Sequence, residues 1–411
     1  MIIDTFSRNI IFVFLGTSAV NFLNLLYQLL IAHTFNPGDF AGFNTILSIL
    51  VLVSSPLIPL QTAVVRYSAE FNARGEREKI KVLLSLLLRK TFLLAILTFI
   101  VFCIGSFYMM EKLKIASVAS GYILSILLGL SWVTAVLSGG VQGLELFHWL
   151  VWVSLISGAL KIILAYLFIQ WGLAIAGALG AFLVSSIVGM LIYYLPLKDF
   201  LSLKPAGDNI DLKEIFLYLF PVGISYFCFM LLVNMDMVLV KYFFDPEKSG
   251  LYSLAQMVGK IFLFLPSAIS LVMFPKIAGL NARNMETAYT LRRSLWYGSI
   301  LCIITALGYN LFPSLALKVL TGKVYFESIF LGRLFSVSMS FFALIFILIN
   351  YFLSKRDLRF IKYLVLFSVL QVLAIFLLHK SIFQVQLILC INAILIFLLH
   401  LFLAYRNKFK S

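Results

Sequence analysis

Leu232-Val-Asn-Met-Asp236-Met-Val-Leu-Val-Lys241-Tyr-Phe-Phe-Asp-Pro-Glu-Lys-Ser-Gly250-Leu-Tyr-Ser-Leu-Ala-Gln-Met-Val-Gly-Lys260 decides the fold. Two apolar arms, together running from Leu212 to Lys276, meet at a short polar turn, Phe244 to Gly250. Each arm exceeds the roughly 20 residues that cross about 30 Å of hydrocarbon. Each also carries a charge in its interior, Asp236 in the first and Lys260 in the second. An ionised side chain near mid-membrane costs about 2.5–3.5 kcal/mol or more, so it must face protein or water. Counted from the turn at 1.5 Å per residue, both lie roughly 12–15 Å deep. That spacing lets them face each other across one cavity.

The rest of the chain has the same character. Its 411 residues are 62% hydrophobic and 12% charged, with a mean hydropathy of +1.06. A soluble domain could not bury so much apolar surface, so the composition predicts an all-α membrane protein. A net charge of +15 raises nucleic acid as a partner. The basic residues, however, fall between apolar runs, which is a membrane-topology pattern. Cys103, Cys228, Cys302 and Cys390 stand alone in apolar runs. They read as buried thiols, not as metal ligands. The first apolar run is too long for a signal peptide and has no small-residue cleavage site, so it reads as a permanent span.

Twelve spans are expected, near 10–33, 43–65, 89–109, 118–138, 148–169, 173–195, 215–243, 250–274, 294–312, 328–352, 361–379 and 383–405. The connections on one side hold 22 Lys and Arg and those on the other hold six. The positive-inside rule then puts both termini in the cytoplasm.

The chain also repeats. His33-Thr-Phe-Asn-Pro-Gly-Asp-Phe-Ala-Gly42 aligns with Lys241-Tyr-Phe-Phe-Asp-Pro-Glu-Lys-Ser-Gly250 at a shift of 208, and Phe71-Asn-Ala-Arg74 with Leu280-Asn-Ala-Arg283 at 209. Two six-helix lobes follow, residues 1–197 and 213–411, joined by a cytoplasmic linker at 198–212. An even number of spans per lobe gives both the same orientation, hence a pseudo-two-fold axis along the membrane normal. Transporters built this way bind substrate between the repeats near mid-membrane. At a shift of 208, Gln28 is the first-lobe counterpart of Asp236.

The motifs resemble those of the polysaccharide transporter branch (O-antigen and exopolysaccharide flippases) of the multidrug/oligosaccharidyl-lipid/polysaccharide exporter superfamily. Pro221-Val-Gly223, Val233-Asn-Met-Asp236, Gly250-Leu-Tyr252 and Leu271-Val-Met-Phe-Pro275 carry the resemblance. Asn24-Leu-Leu-Tyr-Gln28 and Asp39-Phe-Ala-Gly42 form a weaker copy, and His33-Thr-Phe-Asn36 departs from the pattern. The resemblance implies a V-shaped pair of lobes. It also implies export of a polyprenyl-pyrophosphate-linked oligosaccharide to the outer leaflet of the inner membrane by alternating access.

Such a substrate needs a hydrated cavity with positive charge on its wall. Lys161, Lys260 and Arg333 meet that need. Lys161 lies about 13 residues into span five, too deep to snorkel at 1.5 Å per residue. Its alternative is a lysine bonded to a carbonyl between helices. For Lys260 the alternative is a structural ion pair with Asp236. Arg333 and Lys241 sit near span ends, where snorkelling to headgroups is favoured. Arg66 ends span two as a positive-inside anchor, with capture of pyrophosphate as its second reading. Asp236 is a candidate for coupling to a proton or sodium gradient, since burial and a nearby Lys act on a carboxylate in opposite senses. Pro221, Gly223 and Pro266 are candidate hinges, beside Pro56, Pro59 and Pro275. The small residues of span six favour close helix packing.

Glu145 and His148 are too few for a metal site, and His379 and His400 read as packing residues. No nucleotide loop, nucleophile motif or metal cluster is present in the sequence, and the connections are too short for a soluble catalytic domain. The expectation is a non-enzymatic transporter without cofactor or nucleic-acid partner. It would act beside the polysaccharide polymerase machinery. The alternatives are a drug or small-metabolite exporter of the same superfamily and a non-transporting scaffold in a polysaccharide assembly complex.

Overall fold

Backbone groups in hydrocarbon have no water to bond, so each apolar run must satisfy its own N–H and C=O groups as a helix. The computed structural model describes residues 5–201, 212–283 and 285–406. Residues 202–211, most of the expected linker, lie outside these. Among the described residues fourteen α-helices follow in order: α1 (Thr5–Thr34), α2 (Pro37–Ser54), α3 (Leu57–Ala73), α4 (Arg77–Lys112), α5 (Val118–Gly143), α6 (Phe147–Gln170) and α7 (Ala174–Tyr194). After a 3-10 turn at Leu195–Phe200 come α8 (Leu212–Phe243), α9 (Pro246–Ala282), α10 (Ala288–Leu311), α11 (Pro313–Thr321), α12 (Phe326–Ser354), α13 (Ile361–Leu377) and α14 (Ile382–Arg406). Among the described residues, ten helices are long and apolar enough to cross a membrane, and α13 is a shorter apolar one.

Two features depart from the expected spans. Span two, expected as one helix over 43–65, is two helices broken at Ser55-Pro56. Proline removes a donor and its ring crowds the preceding turn, so the ladder stops there. The basic stretch 68–88, expected as a connection, is mostly helix. Its reversal is confined to Arg74–Glu76, where Gly75 takes φ +73°, a conformation that glycine adopts without strain.

The chain forms two compact units. The first comprises residues 1–34 and 53–223, the second residues 35–52 and 224–411. Helix α2 through Leu52 therefore belongs to the second unit, and the start of α8 through Gly223 to the first.

In the first unit, α4 and α3 pack on α5, α5 on α7, α7 on α6, and α6 on α1. Its core includes Val64, Leu83, Leu84, Val136, Val141 and Leu197. The outer face of α4 exposes Phe92, Leu93, Leu97, Val101, Ile104 and Phe107. An exposed apolar stripe of that length suits lipid, not water. In the second unit, α12 is the central element, packing on α9, α10 and α14. The rings of Tyr252 and Phe335 meet edge to face at 5.0 Å. Of the four cysteines, Cys228, Cys302 and Cys390 are buried, whereas Cys103 is half-buried.

Candidate functional site

Asp236 is fully buried in the second unit. Its Oδ2 accepts from the Tyr252 hydroxyl at 2.8 Å and from the Gln256 amide at 3.0 Å. Its Oδ1 is buried with no hydrogen-bond partner. Tyr252, Gln256 and Lys260 recur every four residues on α9, so they share one stripe of that helix. No ion pair among the described residues joins Lys260 to Asp236. The polar groups continue inward. The Tyr252 hydroxyl lies 3.3 Å from Gln386 Oε1, and Gln386 Nε2 donates to Ser338 Oγ at 2.8 Å. Nearby, Asn392 donates to Gln371 Oε1 at 2.8 Å, and Gln371 donates to the Leu232 carbonyl at 2.8 Å. Helices α8, α9, α12, α13 and α14 thus share a buried polar core. Buried polar groups are costly unless bonded, so these side chains constrain how the five helices pack.

In the first unit, Lys161 on α6 is 9% exposed. Its ammonium donates to Asn24 Oδ1 of α1 at 2.7 Å. It also faces the rings of Tyr27, at 4.6 Å, and Phe182, at 5.1 Å. Both distances fall within cation–π range. Tyr27 is fixed in turn, its hydroxyl donating to the Ala178 carbonyl of α7 at 2.9 Å. Gln28 Oε1 and Ser157 Oγ are buried without hydrogen-bond partners. One turn separates Gln28 from Asn24, and one turn separates Ser157 from Lys161. On other faces of the same helix pair runs an apolar groove of about 580 Å³. Leu26, Leu29, Leu30 and His33 line it from α1, and Ile162, Ile163, Tyr166 and Leu167 from α6.

Arg66 on α3 is exposed and lies 5.7 Å from the Tyr67 ring, and Arg333 on α12 is exposed. Lys161, Gln28 and Arg66 therefore belong to the first unit, and Asp236, Lys260 and Arg333 to the second. Pro221 and Gly223 lie where α8 passes from the first unit to the second, and Pro266 is buried within α9. Lys241 does not snorkel. It is 1% exposed, and its ammonium points to the Gly38 carbonyl at 3.4 Å, because the start of α2 covers it. His400 is buried beside Phe352 and Phe360, and His379 stacks on Phe243. Among the described residues, no three potential ligands gather for a metal.

The helix ends correct the repeat. α1 and α8 end at Thr34 and Phe243, and α2 and α9 begin at Pro37 and Pro246. Asn36 Oδ1 caps the N–H of Asp39 at 2.8 Å, and Asp245 Oδ1 caps that of Lys248 at 2.8 Å. That backbone bond holds the Asp245 carboxyl below the usual carboxylate range. Every one of these pairs is offset by 209, so the shift of 208 is one residue short. Tyr27, not Gln28, is the counterpart of Asp236. Asn44 and Ser253, themselves 209 apart, bond to each other at 2.8 Å.

Sequence reading missed Tyr252, Gln256, Gln386, Gln371 and Asn392. The signal was present in part, as amides recurring inside apolar spans, and at a four-residue spacing on α9.

The all-helical membrane fold is shared with solved transporters of the MOP superfamily. An inward-facing multidrug resistance MATE family transporter of that superfamily superposes with a TM-score of 0.77 at 14% identity, over 95% of this chain and 96% of that one. The lipid II flippase MurJ, in an inward closed conformation, gives 0.75 at 15% identity, over 96% and 87%. An outward-facing MATE family transporter gives 0.67 at 14%, over 96% and 92%. The chain belongs to the polysaccharide biosynthesis protein family, whose model matches residues 6–281. No curated protein sequence matches it. The fold is that of these multi-pass membrane transporters and of this flippase.

Proposed function

We propose that this protein is a flippase that moves a polyprenyl-pyrophosphate-linked oligosaccharide from the cytoplasmic to the outer leaflet by alternating access, for surface polysaccharide such as O-antigen. The observation that carries the reading is a lysine inside an apolar helix of each unit: Lys161, which meets an amide oxygen and two rings and no carboxylate, and Lys260, which lies in the field of Asp236 without forming an ion pair with it. An ionisable side chain kept inside a membrane bundle is a functional-site candidate by default, and a cation there suits an anionic ligand. The family and the likeness to a lipid II flippase support the same substrate class.

In this proposal the chain crosses the inner membrane twelve times with both termini cytoplasmic, and it works beside the polymerase machinery. Asp236 couples the cycle to a proton or sodium gradient. Pro221 and Gly223 bend α8 where it changes unit, and Pro266 bends α9. Likeness to MATE transporters favours a second reading, an ion-coupled exporter of drugs or small metabolites.

Cells lacking the chain test the first reading. Their lipid extracts should hold a polyprenyl-pyrophosphate oligosaccharide trapped on the cytoplasmic leaflet. Wild type should clear it, whereas Lys161→Ala and Lys260→Ala should clear it at least about tenfold more slowly, the scale of one lost charged contact. No accumulation, or equal clearing by all three, defeats the flippase reading.

A further inference from the structure

We infer that Asn24 is a removable mask on an anion seat inside the first unit, and that Lys161 exchanges the Asn24 carbonyl for a phosphate oxygen of a diphosphate. The inference rests on the flippase reading for its ligand and on the geometry around Lys161 for its site.

An ammonium has three donors. Among the described residues, that of Lys161 uses one, on a neutral amide oxygen. Its other neighbours are the faces of Tyr27 and Phe182, which stabilise a cation without neutralising it. A lysine kept only for packing in a membrane protein is normally paired with a carboxylate or several carbonyls. Here a single neutral amide oxygen faces the ammonium, and two of its three donors are unused among the described residues. An anion suits such donors. Phosphate oxygens take the N–H groups of Lys161 with charge-assisted bonds stronger than the amide contact they replace.

Asn24 is suited to being displaced. It is exposed on α1, whereas Lys161 and Tyr27 are buried, so of the groups that hold the ammonium its amide has the most room to move aside. Tyr27 is not displaceable in the same way, because its hydroxyl is tied to α7. Asn24 is therefore a positioning residue. It holds the ammonium in place and lowers the cost of an empty seat.

The charge on position 24 separates this role from simple packing. Asn24→Asp supplies a permanent counter-ion at the place where Oδ1 now sits 2.7 Å from the ammonium. Purified protein in nanodiscs would be titrated calorimetrically with geranylgeranyl diphosphate and with inorganic diphosphate. Asn24→Asp should weaken binding about ten- to hundredfold, the range of a lost bond to a charged group. It should melt no lower than wild type. Asn24→Ala, which unmasks the ammonium, should bind more tightly. If Asn24→Asp does not fold, Lys161→Gln serves, with the same loss expected.

Binding of the lipid probe alone assigns the seat to a lipid headgroup, and equal binding of both probes assigns it to the free anion. Either supports the seat if the loss follows the charge. Wild type that binds neither probe overturns the inference. So does Asn24→Asp that binds like wild type while melting higher, since that marks a structural tie. Failure of the flippase reading looks different. Diphosphate binding would still follow the charge at position 24, yet no lipid-linked oligosaccharide would accumulate in cells lacking the chain.

Discussion

Asp236→Asn should fold like wild type and lose gradient-driven transport by about ten- to a hundredfold. Asparagine keeps an oxygen where Oδ2 now accepts from Tyr252 and Gln256. The group introduced in place of Oδ1 enters a position that already lacks a partner. Packing therefore changes little, while the charge is gone. If a transported ion is held or released through that charge, a few kcal/mol of driving interaction disappears, and each 1.4 kcal/mol is a tenfold change in rate. Asp236→Leu should behave differently. It orphans the amide of Gln256 in the core, at about 1–3 kcal/mol, leaves the Tyr252 hydroxyl only its 3.3 Å contact with Gln386, and should lower the yield of folded protein. The measurement is flipping of the lipid-linked substrate in vesicles with and without an imposed proton or sodium gradient. Asp236→Asn that flips at the wild-type rate with the wild-type gradient response removes Asp236 from the coupling step.

The same carboxylate marks how far the sequence could be read. A charge inside an apolar run is rare and costly, so Asp236, Lys260 and Lys161 were visible from composition alone. So was the helical membrane class, because no soluble core could hide such a chain. The neutral members of the second unit's core were not visible. Gln371, Gln386 and Asn392 are single amides on two different helices, and only packing brings them near Asp236. The assignment of α2 to the second unit was also hidden, since nothing local distinguishes Phe40 to Leu52 from any other apolar helix. Lys241 was misread for the same reason. Snorkelling is the default near a span end, and the backbone that covers it comes from residues 203 positions away.

The one-residue error in the repeat has a local cause. Gly42 and Gly250 match at 208 and pulled the alignment to that shift. The capping chemistry would have fixed it, because Asn36-Pro37 and Asp245-Pro246 each place a side-chain acceptor before a proline that starts a helix.

Gly250 is where that near-repeat has its largest expected effect on stability. The two turns pack closely within the second unit. A Cβ on Gly250 would run into Pro37, lying 2.6 Å from its carbonyl carbon and 2.7 Å from its carbonyl oxygen, and nearer still to its ring. Those atoms are backbone and a rigid ring at the start of α2, so they cannot swing away as a flexible side chain would. Overpacking of this kind costs about 1–3 kcal/mol. Gly279, in the last turns of the same helix, has nothing within 4 Å of its Cβ position. There, alanine should stabilise by about 0.5–1 kcal/mol, because glycine in a helix gives up more backbone freedom on folding. The two substitutions are chemically identical and sit in one helix, yet they should shift stability in opposite directions. Denaturation of purified protein in detergent reads both. Gly250→Ala should also weaken the Asn44–Ser253 bond one turn further in, so combining it with Ser253→Ala should cost less than the sum of the two. Gly250→Ala as stable as wild type would mean that the start of α2 does not press on α9, and the contact between equivalent positions would lose its support.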